Sequence, residues 1–201
     1  MTDMETSIDP SRTIWNPVQR DSATFLVTSA ESGGTVTRLE IRLAAGGGNQ
    51  LHLHRSYAEH FQVLEGELGV EIAGERRVLR PGEPAVVPAG TLHRFFSVND
   101  QPARFIVELR PGHAGMERAL RIGYGLARDG LTNDRGIPRS FLHLALAADL
   151  SDIAITGPLS VLNPVFRLAA RIARARGVEA ELVRRYCPAE TAAPRPALAA
   201  V

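Results

Sequence analysis

The chain has 201 residues, 44% of them hydrophobic and 22% charged, with a formal net charge of +1. That suits one globular domain with an appendage, and it argues against wholesale disorder and against a nucleic-acid binder that works by neutralising phosphates. All 23 basic residues are Arg, which excludes lysine Schiff-base chemistry and a Gly-Lys-Ser phosphate loop from this sequence.

The single cysteine, Cys187, leaves no intrachain disulfide and no zinc site built from several thiolates. Residues 1–20 are polar, carry Pro10 and Pro17, and, with no apolar run among them, do not read as a signal peptide. They read as a loose arm on which Trp15 docks, and the expected compartment is the cytoplasm. Residues 21–112 read as strand after strand, with segments expected at 23–28, 35–43, 60–64, 68–72, 75–79, 85–87 and 104–109. Glycine and proline punctuate them at Gly33-Gly34, Gly46 to Gly48, Gly66, Gly74, Pro81-Gly82, Pro88 and Gly90. Many short strands at even spacing predict a mainly β fold, a sandwich or barrel.

The pattern turns helical at Pro111-Gly112. Helices are expected over 117–128, 138–150 and 164–176, making residues 113–186 a helical C-terminal segment. The third helix groups Val165, Leu168, Ala169 and Ile172 on one face and Arg167, Arg171 and Arg174 on the other, and Gly177 ends it. The longest apolar run, 141–150, is far short of the roughly 20 residues a membrane span needs, so no membrane association is expected. Residues 187–201 are rich in Pro and Ala and read as a disordered tail.

Two of the six histidines form His52-Leu53-His54. On a strand, residues two apart share a face, so the pair aims two imidazoles at one point. Glu59 follows after four residues, and His93 follows Pro88-Ala-Gly90-Thr-Leu. Three imidazoles and a carboxylate suit divalent Fe, Mn, Ni, Co, Cu or Zn rather than Ca or Mg, which prefer oxygen donors.

The full spacing is more specific than the pair. Gly46-x5-His52-x-His54-x4-Glu59-x6-Gly66 resembles the first motif of the cupin superfamily at every fixed position, and Gly82-x5-Pro88-x-Gly90-x2-His93 resembles the second. The resemblance covers roughly residues 35–110. It implies a small antiparallel jelly-roll barrel with a metal inside, and it carries the ligand role onto His52, His54, Glu59 and His93. The second motif usually closes with Asn four residues after its His. Here that position is Ser97; in the family that Asn is not a metal ligand, so the departure leaves the implied ligand set intact.

Strand alternation turns His60 away from the metal, to an outer face. His113 sits in a Pro-Gly-His-Ala-Gly turn and reads as surface loop, within possible reach of the barrel mouth. His143, in the apolar helix, reads as a packed histidine at an interface. Tyr57 lies between His54 and Glu59, where it either donates a proton or simply packs. Phe61 and Val63 share the face of Glu59, and Phe95 that of His93, so all three are expected around an apolar cavity that takes a small organic substrate.

Three functions fit. One is a dioxygenase-like oxidoreductase with Fe(II) favoured, Glu59 acting as base. Another is a non-redox isomerase, cyclase or lyase, in which the metal polarises a carbonyl and Glu59 or Tyr57 moves a proton. The third is a module that binds a small molecule without turnover. Open sheet edges and the apolar helices make a homodimer the expected assembly.

Overall fold

Strands form where apolar and polar side chains alternate, and helices where the period lengthens. The computed structural model describes residues 9–154 and 157–187. The strands are β1 (Thr13–Asn16), β2 (Asp21–Val27), β3 (Thr37–Leu43), β4 (Ala58–Glu65), β5 (Leu68–Ile72), β6 (Glu75–Leu79), β7 (Pro84–Val87), β8 (His93–Ser97) and β9 (Ala103–Arg110). They build two antiparallel sheets, ordered β1-β2-β3-β9-β4-β7 and β6-β5-β8. Isolated bridges, Gly48 to Phe96 and His52 to His93, tie the loop before β4 to β8. The β-domain is thus antiparallel throughout, as expected, and the helices follow it in sequence.

Alternation decides what fills the space between the sheets. Strand β3 buries Thr37, Leu39, Ile41 and Leu43 and turns Arg38, Glu40 and Arg42 outward. Phe61, Phe95 and Phe105 meet in the centre, with ring centroids 5.2 to 6.5 Å apart. Such aromatic contacts stabilise beyond the area they bury. Gly66 closes the β4–β5 turn at φ 74°, where a Cβ would stand 2.4 Å from the Pro102 carbonyl oxygen. Only glycine meets both demands without strain.

The helices are α1 (Ala114–Arg128), α2 (Phe141–Leu150), α3 (Asn163–Ala175) and α4 (Val178–Tyr186). Ile122, Leu126, Leu146, Leu150 and Leu182 form a second core among them. Three polar pins fix α1 to the β-domain. The Glu117 carboxylate accepts from Ser29 N–H at 2.6 Å and from the Thr37 hydroxyl at 2.5 Å. The Tyr124 hydroxyl donates to Asp21 at 2.7 Å. The Arg121 guanidinium lies 4.1 Å over the Phe25 ring.

Three expectations are corrected. The arm is no loose segment between residues 9 and 20: β1 pairs with β2, and Trp15, expected to dock, is 51% exposed. Helix α3 buries Ala169, Ala170 and Ala173, whereas Val165, Leu168 and Ile172 face outward. Small residues let α3 approach α2 closely, and that contact outweighs the apolar stripe. Gly177, at φ 74°, begins α4 as well as ending α3. Residues 1–8 and the expected tail from 188 lie outside the described residues. Among the described residues no helix is long and apolar enough to cross a membrane.

Asp21 generates a pH dependence. Burial raises its carboxyl to about 7, against a smaller opposing effect of the Tyr124 hydroxyl. The unfolded chain ionises this group near 3.8, so the folded state holds a proton that the unfolded state has released. Folding stability from this residue is therefore lost as pH rises from about 4 to about 7. Asp21→Asn keeps an acceptor for Tyr124 and carries no charge. It is expected to match the parent at pH 4 and to exceed it at pH 8 by roughly 1–3 kcal/mol in denaturant melts.

Candidate metal centre

The four residues singled out by spacing converge. One ligand atom from each of His52, His54, Glu59 and His93 lies within 4.8 Å of the others. Strand β4 turns Glu59 inward, β8 opens on His93, and the bridge between His52 and His93 brings the His52-Leu53-His54 segment over them. The Glu59 carboxylate stands 3.2 Å from His54 Nε2 through one oxygen and 3.2 Å from His93 Nε2 through the other. The His52 ring lies 4.7 Å from that of His54 and 4.4 Å from that of His93.

Main-chain carbonyls set the imidazole orientations. Nδ1 of His52 meets the Gln50 carbonyl at 2.7 Å, Nδ1 of His93 meets that of Thr91 at 2.9 Å, and Nδ1 of His54 meets that of Ser151 at 3.0 Å. A carbonyl only accepts, so each Nδ1 carries the proton and each neutral imidazole presents a lone pair at Nε2. Those lone pairs point at a carboxylate, which also only accepts. His54 Nε2 is buried with no hydrogen-bond partner. Acceptors crowded in a buried place need a cation between them, either a proton shared with Glu59, as the 3.2 Å contact from His93 Nε2 allows, or a metal ion.

The donor set therefore fits a divalent transition metal, held by His52, His54, Glu59 and His93. Ligands on opposite sides of such an ion stand about 4.2 Å apart, close to the span seen here. Charge supports the same reading. Burial raises the Glu59 carboxyl, but His54 and His93 more than reverse that and hold it well below the usual carboxylate range. Burial, reinforced by the two neighbouring imidazoles, pushes His52 down to about 4, so its lone pair stays available at neutral pH. Burial lowers His93 as well, yet the facing Glu59 carboxylate leaves its net shift upward.

Tyr57 does not face this centre as a free acid. Its ring stacks on His54 at 4.5 Å, and its hydroxyl donates to the Ser151 carbonyl at 3.2 Å. Burial, then Glu59 and Asp152, raise it far above an ordinary phenol. His113 lies behind Tyr57, with ring centroids 5.0 Å apart, and caps α1 by accepting from Met116 N–H. His60 is half-buried on the opposite side of β4 from Glu59, and Arg94 pairs outward with Glu71. His143 is half-buried on α2, away from the cavity lining.

A cavity of about 300 Å³ opens onto His52, His54 and Glu59. Phe95 lines it, together with Leu39 and Ile41 of β3 and Val107 and Leu109 of β9. Phe61 and Val63, expected beside it, lie deeper in the core at 2% exposure. They share a face with Glu59, but their depth along β4 puts them below the cavity floor. The opposite wall is helical: Met116, Ala119, Leu120 and Gly123 of α1 face Leu144, Ala147 and Ala148 of α2. Sequence reasoning left this wall out. Its only trace was a face of α1 spaced by three and four residues and opposed by small residues.

The end of α2 also steers a candidate ligand. Ser151 supplies the carbonyl for His54 Nδ1 and Tyr57. The next residue, Asp152, adopts φ 54° and forms an ion pair with Arg55, the residue after His54. The Arg55 N–H also donates to the Asp152 carbonyl at 3.3 Å.

Residues 39–108 match the family model described as Cupin domain. Probable oxidoreductase patJ of Aspergillus clavatus is 37% identical over 92 residues, covering 43% of this chain and 28% of that protein. Oxalate oxidase 1 of Hordeum vulgare is 30% identical over 113 residues, covering 44% and 56%. Quercetin 2,3-dioxygenase of Bacillus subtilis is 35% identical over 79 residues, covering 38% and 23%. The chain thus spans from about a quarter to just over half the length of these relatives.

The double variant His52→Ala, His54→Ala is expected to lose its divalent metal to background in elemental analysis. Stoichiometric metal in that variant would refute the ligand set. Asp152→Ala keeps every donor but frees the segment carrying the Ser151 carbonyl. It is expected to weaken metal binding by roughly 10-fold in a chelator competition.

Proposed function

We propose, from the cupin domain at residues 39–108 and the donors it carries, that the chain is a metal-dependent, dioxygenase-like oxidoreductase acting on a small organic molecule. Fe(II) is the favoured ion. The observation that carries this reading is the pairing of an inward-locked three-nitrogen, one-oxygen donor set with an apolar cavity. Held by only these four donors, a divalent transition ion would have room for a chelating substrate oxygen and for dioxygen. The bound metal would pass charge between an electron-rich substrate and dioxygen, with both oxygen atoms ending in the product.

The chain's residues then have defined tasks. His52, His54 and His93 hold the ion through Nε2. Glu59 supplies the anionic donor, and once displaced from its place between His54 and His93 it is the nearest base for a substrate hydroxyl proton. The apolar walls exclude water from the reacting centre. Tyr57 positions His54 by stacking and shares its Ser151 carbonyl.

Glu59 is available to either reading, but the non-redox one also needs a second titratable group facing the substrate. Among the described cavity-lining residues, the titratable groups besides the candidate ligands are Tyr124 and Arg135. The Tyr124 hydroxyl is committed to Asp21, and a guanidinium does not shuttle protons at neutral pH. That supply favours chemistry in which the metal and dioxygen do most of the work. The names of the relatives, an oxalate oxidase and a quercetin dioxygenase among them, point the same way.

Oxygen-electrode assays of the Fe(II)-loaded protein with catechols, flavonols and dicarbonyl compounds test the reading. Uptake of one dioxygen per substrate consumed, abolished in His52→Ala, His54→Ala, is the expected result. No uptake after loading with Fe(II), Ni(II) or Cu(II) in turn would overturn it.

A further inference from the structure

Gly123 has no conformational reason to be glycine. It lies inside α1, and its backbone is helical rather than left-handed. A Cβ built there would meet nothing within 4 Å. Two residues on, Gly125 differs: a Cβ there would stand 2.1 Å from the Tyr186 ring, so close packing of α4 demands glycine. A glycine in a helix interior weakens the helix relative to alanine. At Gly123 the space it leaves is the cavity itself, which it lines across from the candidate ligands.

The charges around that space are as informative as its shape. The walls facing the metal centre are apolar side chains of β3, β9, α1 and α2. The lining includes one cationic side chain, Arg135, and it is exposed at the rim. Asn16 and Asn49, also on the lining, spend their side-chain oxygens on backbone N–H groups, so each brings an amide NH2 donor. A small dicarboxylate chelated at the metal would turn its remaining carboxylate oxygens toward these walls with no buried cationic partner, which is costly, while a hydrocarbon ring would not. An apolar ring gains by leaving water for the same walls.

We propose that Gly123 sets the bulk this site accepts, and that its substrate is a metal-chelating molecule built on one or two apolar rings rather than a small dicarboxylate. The assignment rests on the reading of the metal centre as a chelating site. It concerns what is bound and not whether dioxygen then reacts. Adjacent oxygens of the ring compound take the metal, and its hydrocarbon part extends along α1 to Gly123.

The test is calorimetric titration of the Fe(II)-loaded protein under nitrogen with oxalate, catechol and a naphthalenediol bearing adjacent hydroxyls. The naphthalenediol is expected to bind at least about 10-fold tighter than oxalate. Gly123→Leu, which fills the space, is expected to weaken the naphthalenediol by about 10-fold or more, with metal content and melting temperature kept. Should Gly123→Leu lose its metal, Gly123→Ala decides: its preference for naphthalenediol over catechol must fall by about 3-fold or more. Oxalate binding as tightly as the naphthalenediol, or an unchanged preference in the deciding variant, would overturn the proposal. Tight naphthalenediol binding without oxygen uptake on admitting air sinks the oxygenase reading alone. Uptake with oxalate but with no ring compound sinks this assignment alone.

Discussion

The site depends on one constraint, the commitment of three imidazole Nδ1–H groups to main-chain carbonyls. Gln50, Thr91 and Ser151 provide those carbonyls. With the outer nitrogen of each ring spoken for, the inner nitrogen is an acceptor, and the three acceptors close on a fourth, Glu59. Without a cation this arrangement is electrostatically frustrated, because His54 Nε2 is buried and unpartnered. The fold tolerates that frustration because the β-ladders hold the donors in place. The bridge between His52 and His93 is closed by backbone hydrogen bonds of 3.0 and 2.8 Å in both directions.

One of the three carbonyls comes from outside the β-domain. Ser151 caps the end of α2, so the helical segment takes part in the metal centre as well as in the cavity wall. The two roles have a common mechanical basis. Helix α1 is pinned through Glu117 and Tyr124, helix α2 packs on α1 through Leu146 and Leu150, and Arg55 ties Asp152 back to the His54 segment. A ligand pressing on Ala147 or Ala148 presses on the helix whose last turn orients His54. The cavity wall and the carbonyl that orients His54 therefore belong to one short helix.

The legible and illegible parts of this molecule divide by the range of the interactions that set them. Strand positions followed from alternation, and the bounds 68–72 and 75–79 coincide with β5 and β6, because burial on one face is written into neighbouring residues. The candidate donors followed from spacing, because turns at Gly46, Gly66, Gly82 and Gly90 fix where each strand starts. Strand β1 was missed because four residues holding Ile14 and Trp15 carry too little pattern, and its pairing with β2 is a tertiary fact. Depth was illegible too. Glu59, Phe61 and Val63 share a face, but only their distance along β4 separates a metal ligand from core filling. The α3 stripe misled for the opposite reason. Its pattern was clear, but contact with α2 selected Ala169 and Ala173 instead.

The absence of lysine gains meaning beside this cavity. It excludes covalent amine chemistry, and Cys187 sits at the end of α4, away from the cavity lining. Tyr57 and Tyr124 lie near the site, but each hydroxyl is held by an acceptor within the fold, Ser151 or Asp21. What remains in contact with a bound molecule is an apolar wall, a few amides, one rim arginine and the donor set. Such a site has little means of moving protons about a substrate, and considerable means of holding an apolar molecule against a cation in a dry place. These side chains favour the proposed reading, in which an ion and a small reactant would supply the chemistry. That inference follows from the side chains alone, and the oxidoreductase names of the relatives are independent of it.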